Sequence, residues 1–224
     1  MLLLLLRLEA PLMKWGLRSL WNDRDTHIVP TKSGIIGLLS CALGYSRRDK
    51  RIEELSAQLS MGVRADRNGI VLTDLQIVST ASNPFIKKLS KAEGYGARTL
   101  LGPILTYRHY LQDASFTVVL SGDPILLQKL AEAVCSPFFS LFLGGKSCIP
   151  SRPIFEALTN NYTSIEQALN DYPVTKIRIR DKHQDKYYCE IEDKCGAHIR
   201  QDEIRVSMLR EYGFRRVTVK YLGG

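Results

Sequence analysis

Leucine fills positions 2–6 and 8, a run interrupted only by Arg7 and closed by Glu9 and Pro11. A short apolar run of this kind, without alternation, predicts a strand buried on both faces, and we read Leu2–Leu8 as a central strand. A secretory signal has basic residues ahead of about 7–15 apolar ones, and a membrane helix needs about 20 apolar residues. Neither pattern fits, so the chain reads as a cytosolic protein with no membrane contact. Ala10–Pro30 is polar and cationic, holds Trp15 and Trp21, and reads as a loop. Ile35, Ile36, Leu38, Leu39, Ala42 and Leu43 then follow a helical period, with Pro30, Thr31 and Ser33 as start signals and Gly44 as a stop. A second, amphipathic helix is predicted over Lys50–Leu59, with Ile52, Leu55 and Leu59 on one face.

Gly62–Ala65 and Ile70–Val78 read as strands, and Asn68-Gly69 between them predicts a tight hairpin turn. Thr80–Leu105 follows neither period; it carries Gly94, Gly96, Gly102, Pro84 and Pro103. Aperiodic excursions of this length are uncommon in compact domains and tend to serve function. Thr106–Leu120 is predicted as one strand and Pro124–Val134 as a helix, with further strands near 174–180, 186–192 and 215–221. The order β-α-α-β-β-(excursion)-β-α predicts an α+β fold with helices on one face of an antiparallel sheet.

The chain has 224 residues and a net charge of +8, which favours an anionic partner. The excess is uneven. Residues 83–112 carry five basic side chains and one acidic, whereas 113–172 carry three and six. Five cysteines, an odd number, argue against a disulfide framework. Cys189, Cys195, His198 and His183 lack the paired spacing of a structural zinc site, and no cofactor is predicted. GGKS at Gly144–Ser147 lacks the preceding glycine of a nucleotide-binding phosphate loop, yet Gly144, Lys146 and Ser147 suit an anion. PTKSG places Thr31, Lys32 and Ser33 at a helix start, where N–H groups and the dipole favour a phosphate. VTKIRIR (Val174–Arg180) sends its cations to one side of a strand. Tyr107, Arg108, His109 and Tyr110 together supply the stacking and charge that an RNA-binding sheet uses.

The blocks RLEAPLMKWG, PTKSGIIGLLSCALGYSRRD, YLQDASFTV and LFLGGKSCIPSRP together resemble the CasD family of CRISPR-associated RAMP proteins, the fifth-class subunits of the type I-E Cascade surveillance complex. The resemblance spans about residues 1–172 and departs from the family pattern at Gly145, where relatives carry a basic residue. It implies a modified ferredoxin-like (RRM) domain over 1–172, with an inserted β-hairpin thumb at about 79–105. We read 173–224 as a β-rich extension packed on the same domain. It further implies a non-catalytic subunit of an antiviral ribonucleoprotein complex, which holds the 5′ handle of the CRISPR RNA and caps the filament of repeated backbone subunits. Such a subunit meets the large PAM-recognising subunit and touches target DNA only indirectly. The RNA-binding candidates are then Arg24, Thr31, Lys32, Ser33, Arg47, Arg48, Tyr107, Arg108, Gly144, Lys146 and Ser147. Lys87, Lys88, Lys91 and Arg98 become thumb contacts to RNA or subunit. The competing expectation is a metal-independent endoribonuclease using His109, His27, Tyr107 and Lys32, because a related subunit cleaves the repeat with Tyr, Lys and His side chains.

Overall fold

The computed structural model describes residues 1–17, 20, 22–78, 104–174, 186–206 and 211–223. The expected thumb cations Lys87, Lys88, Lys91 and Arg98, the strand near 174–180, Trp21 and His183 lie outside them. The described elements form a mixed α+β fold dominated by sheet. Its strands are β1 (Leu3–Glu9), β2 (Leu12–Met13), β3 (Asp23–Arg24), β4 (Ser60–Arg67), β5 (Ile70–Val78), β6 (Ile104–Gln112), β7 (Ser115–Ser121), β8 (Phe155–Thr159), β9 (Lys186–Glu192), β10 (His198–Val206) and β11 (Glu211–Gly223). The helices are α1 (Lys32–Ala42), α2 (Arg51–Gln58), α3 (Pro124–Cys135) and α4 (Ile165–Asp171).

Seven strands make one antiparallel sheet in the order β10-β11-β9-β4-β7-β1-β8. The leucine run is buried on both faces, as its pattern requires. Leu4, Leu6 and Leu8 pack into the core that includes residues of α1, α2 and α3, while Leu3 and Leu5 join Ile165, Ala168 and Leu169 of α4. The strand is nonetheless one from the sheet's edge, not central, because β8 lies beyond it. The three helices expected in the first 140 residues, α1, α2 and α3, share one face of the sheet, and α4, beyond them in the chain, covers the opposite face. Arg7, the one charge in the run, shares that face with Asp66, Arg64 and Thr117. Arg7 and Arg64 both bond to Asp66, Arg64 also donates to the Tyr172 carbonyl at 2.9 Å, and Thr117 is the third donor to Asp66. Burial, reinforced by Arg7, brings the Arg64 guanidinium down to about 10.

Local chemistry sets the ends of α1. The Thr31 hydroxyl accepts from the Gly34 N–H at 3.2 Å. At the other end Gly44 takes φ +74°, and the N–H groups of Gly44 and Tyr45 reach the carbonyls of Cys41 and Ser40 at 3.2 and 2.8 Å. That pairing is a Schellman stop, which favours glycine at the left-handed residue.

The Asn68-Gly69 hairpin is not formed. β4 pairs with β7 in the large sheet, whereas β5 pairs with β6 in a second sheet, so the chain bends at 68–69 and passes from one sheet to the other. The single strand expected over Thr106–Leu120 breaks likewise into β6 and β7, with Asp113 at φ +55°. Residues 60–78 and 104–121 thus form one long antiparallel ribbon with a shared bend. Gly69 permits the bend, since a Cβ there would sit 2.9 Å from the Ala114 Cβ and 3.0 Å from the Gln112 carbonyl oxygen. On its other edge β6 pairs with β2 and, in parallel, with β3, both inside the segment expected to be a plain loop. β9, β10 and β11 extend the large sheet from β4, so the C-terminal strands belong to the same sheet as β1.

Candidate nucleic-acid interface

Period two divides β6 into two chemically different faces. In register, Arg108 lies beside Arg24 of β3 and Asp74 of β5, and Tyr110 lies opposite Leu72. Tyr107 and His109 take the other face, with Asp23, Thr73, Leu75 and Ile77. Tyr107 and Arg108, taken together in the sequence, therefore point to opposite sides.

The Arg108 face gathers cations. Lys14 follows β2 and holds its ammonium 5.5 Å from the centre of the Tyr110 ring. Its pKa is lowered, first by burial and then by the like charges of Arg24 and Arg108. The Arg108 Nε is buried and makes no hydrogen bond among the described residues. A buried, unbonded guanidinium N–H carries a desolvation cost that an anionic acceptor would remove.

The glycine loop is pinned against the same place. Lys14 N–H donates to the Leu143 carbonyl at 3.1 Å, Leu143 N–H to the Cys148 carbonyl at 2.8 Å, and Cys148 N–H to the Gly145 carbonyl at 2.8 Å. Gly144 has φ +83°, and a Cβ there would fall 1.5 Å from the Lys14 carbonyl oxygen. Only glycine lets these backbones meet. Lys146 and Ser147 are exposed on the loop. Arg24 and Arg108 thus meet at Lys14, whose backbone also anchors the loop carrying Gly144, Lys146 and Ser147; sequence reasoning missed Lys14 as a site residue. The signal was available: Lys14 sits within RLEAPLMKWG, directly after an apolar pair.

The helix start at PTKSG has a different fate. The Lys32 N–H donates to Asp202 at 2.7 Å, and its ammonium meets Glu192 at 2.9 Å and Glu203 at 3.8 Å. Arg215 grips the same Asp202 through two bonds of 2.7 and 2.9 Å. Lys32 is 2% exposed, not the solvent-facing cation its position in the sequence predicts. Carboxylates of the C-terminal strands take the place at the helix N-terminus that a phosphate was expected to take. Thr31 caps the helix, and the Ser33 hydroxyl lies 3.4 Å from the Thr31 hydroxyl. Arg47 and Arg48 are exposed in the turn after α1.

The four residues of the nuclease reading are dispersed. His109 is held between Thr73 at 2.9 Å and Asp23 at 3.0 Å. Tyr107 shares its face, His27 bonds Val29 at 3.2 Å, and Lys32 is in the ion network just described. Cys189 is buried, with its thiol pushed up to about 12 by burial, whereas Cys195 is exposed. Among the described residues no helix is long and apolar enough to cross a membrane.

Three cations, an aromatic ring and a glycine loop thus meet at Lys14 in an α+β sheet protein. Comparison identifies its family. The chain matches the family described as CRISPR-associated protein (Cas_Cas5) over residues 3–218, and it belongs to that family. It is 31% identical over 219 residues to the CRISPR system Cascade subunit CasD of Escherichia coli (strain K12), covering 95% of this chain and 92% of that one. Among solved structures, a crystal structure of a Cas protein has a TM-score of 0.75 at 32% identity, covering 99% of this chain and 95% of its own. A CRISPR RNA-guided surveillance complex contains a chain with a TM-score of 0.75 at 25% identity, covering 99% of this chain and 90% of its own.

Proposed function

We propose that the protein is a non-catalytic, cytoplasmic subunit of a Cascade-type surveillance complex, and that the Lys14–Arg24–Arg108 face holds phosphates of the CRISPR RNA 5′ handle. The observation that carries this reading is the unbonded Arg108 Nε within a cluster of like charges. Lys146 and Ser147, on the loop pinned to Lys14 through Leu143, supply further donors, and Tyr110 offers a ring for a base. The arrangement β1-α1-β4-β7-α3-β8, with sheet order β4-β7-β1-β8, supports the modified ferredoxin-like reading of this part of the chain. The ribbon of β5 and β6 leads into residues 79–103, which supports a thumb there, with Lys87, Lys88, Lys91 and Arg98 directed to RNA or a neighbouring backbone subunit. Capping of the backbone filament and contact with the large PAM-recognising subunit complete the proposal.

The test is a salt titration of guide-RNA binding. Arg108→Ala and Lys14→Ala should each lower the slope of log K against log salt by about 0.7, the value per phosphate contact on a single strand. Unchanged slopes for both would remove this face from the RNA site.

A second reading, a metal-independent endoribonuclease, has one observation in its favour: His109 is bonded on both sides, by Thr73 and Asp23, as an oriented general base is. Repeat RNA incubated with the protein in EDTA should stay intact. Site-specific cleavage lost in His109→Ala would establish the nuclease instead.

A further inference from the structure

The end of α3 and the segment after it form a surface that the RNA reading leaves unused. A cavity of about 360 Å³ opens there, walled by Val134, Pro137, Leu141, Pro153, Ile154 and Phe155. Its rim is apolar and exposed: Phe138 is 73% exposed, Phe139 49%, and Ile149, next to the cavity residue Pro150, 68%. Exposed apolar side chains grouped around a cavity mark a binding surface, whereas scattered ones do not.

The rim is held in place. Phe138 N–H donates to the Ala42 carbonyl at 2.9 Å, the Cys41 thiol lies 3.7 Å from the Ser140 carbonyl, and the Phe138 ring lies against Gly44. A preorganised apolar rim loses little entropy when a partner binds. Gly44, on which the Phe138 ring packs, opens the turn that presents Arg47 and Arg48 to solvent three and four residues further on. The acids nearest in sequence to those cations and to the cavity wall are engaged, Asp49 by Arg51 at 2.6 Å and Glu156 by Arg152 at 3.3 Å.

We propose that this face seats a segment of another protein, in which an apolar side chain fills the cavity and flanking acidic residues meet Arg47 and Arg48. Charge complementarity selects acids, and the cavity selects an aliphatic or aromatic anchor. RNA is the poorer occupant. The cavity wall is aliphatic, proline and phenylalanine apart from Cys135 and Arg152, and the Arg152 guanidinium is already held by Glu156 at 3.3 Å. The Phe138 and Phe139 rings stand at 85° to each other, so they do not form a parallel pair for successive bases.

The experiment uses the full chain and fluorescein-labelled Asp-Asp-Leu-Phe-Asp-Asp, followed by fluorescence anisotropy. Three competitors are compared: the same peptide with lysine flanks, the peptide with an Ala-Ala core, and a ten-nucleotide oligouridine. The acidic peptide should bind, and lysine flanks or the alanine core should weaken binding about tenfold or more, as loss of a hot-spot contact does. Phe139→Ser should do the same, and the double change Arg47→Glu, Arg48→Glu should abolish the preference for acidic over lysine flanks. Phe139 is exposed, so an unchanged melting curve and intact guide-RNA binding should accompany the loss in Phe139→Ser. The proposal is overturned by no binding, by equal binding of the lysine-flanked or alanine-core peptide, or by displacement with oligouridine. Self-association of the chain that is lost in Phe139→Ser would assign the face to a second copy instead, and would equally overturn it.

Discussion

Two cationic regions of this molecule look alike in the sequence and differ completely in the fold. Lys32 stands at a well-signalled helix start, yet it is buried against Glu192, with Glu203 and Asp202 alongside. Lys14 stands in a loop without such a signal, yet burial, and after it the like charges of Arg24 and Arg108, lower its pKa. The first region is neutralised by the protein itself and serves stability. The second keeps an unbonded Arg108 Nε among like charges, and it is the region we propose for an external phosphate. A helix N-terminus is a place where an anion is stabilised, and nothing local decides whether that anion belongs to a ligand or to the same chain.

The sharpest test of this difference is removal of the internal anion. Asp202 is 2% exposed and bonds both Arg215 and the α1 N-terminus. Asp202→Ala leaves a buried guanidinium without its carboxylate and should cost about 3–5 kcal/mol in denaturant unfolding. The salt slope for RNA binding by the folded fraction should not change. A slope that rises by one contact would mean the helix start had become a phosphate site.

Arg108→Ala should behave in the opposite manner. Losing a charge-assisted hydrogen bond to phosphate is worth about 1.5–3 kcal/mol, so RNA affinity should fall roughly tenfold to a hundredfold. Stability should change by less than about 1 kcal/mol, because Arg108 gives up no buried partner comparable to Asp202. Equilibrium binding and a melting curve on the same sample separate the two effects.

Lys14→Met sharpens the comparison further. A lysine whose folded pKa lies below its unfolded value binds fewer protons when folded. Its charge therefore weakens the fold at lower pH, and that penalty is relieved as pH rises through the folded pKa. Methionine removes the penalty, so stability at neutral pH should be unchanged or slightly higher even as RNA affinity falls. A drop in stability that matches the drop in affinity would show that Lys14 is structural.

The smallest effect belongs to His109→Gln. The bonds to Thr73 and Asp23 tie β5 and β3 across β6 at a partly exposed position, and their loss should cost under about 1 kcal/mol. Guide-RNA binding should change little, since His109 faces away from Arg108.

The sequence by itself determined the local pieces. A continuous leucine run demanded burial on both faces; Thr31, Gly44 and Pro124 marked helix ends; and 3.6-residue periodicity placed α1, α2 and α3. These signals are short-range, carried by hydrogen bonds and packing within a few residues. It also carried the family resemblance, which the match over residues 3–218 bears out. Tertiary structure alone decided the rest. Asn68-Gly69 is compatible with a hairpin or a bend, and the choice depended on β6 and β7, some forty residues later, pairing with two different sheets. Period two fixed that Tyr107 and Arg108 point apart, but not which side would meet Lys14. Whether Lys32 was free depended on Asp202, 170 positions away. The charge of a residue is written in the sequence. Its availability to a ligand depends on which distant carboxylates the fold brings within hydrogen-bond distance.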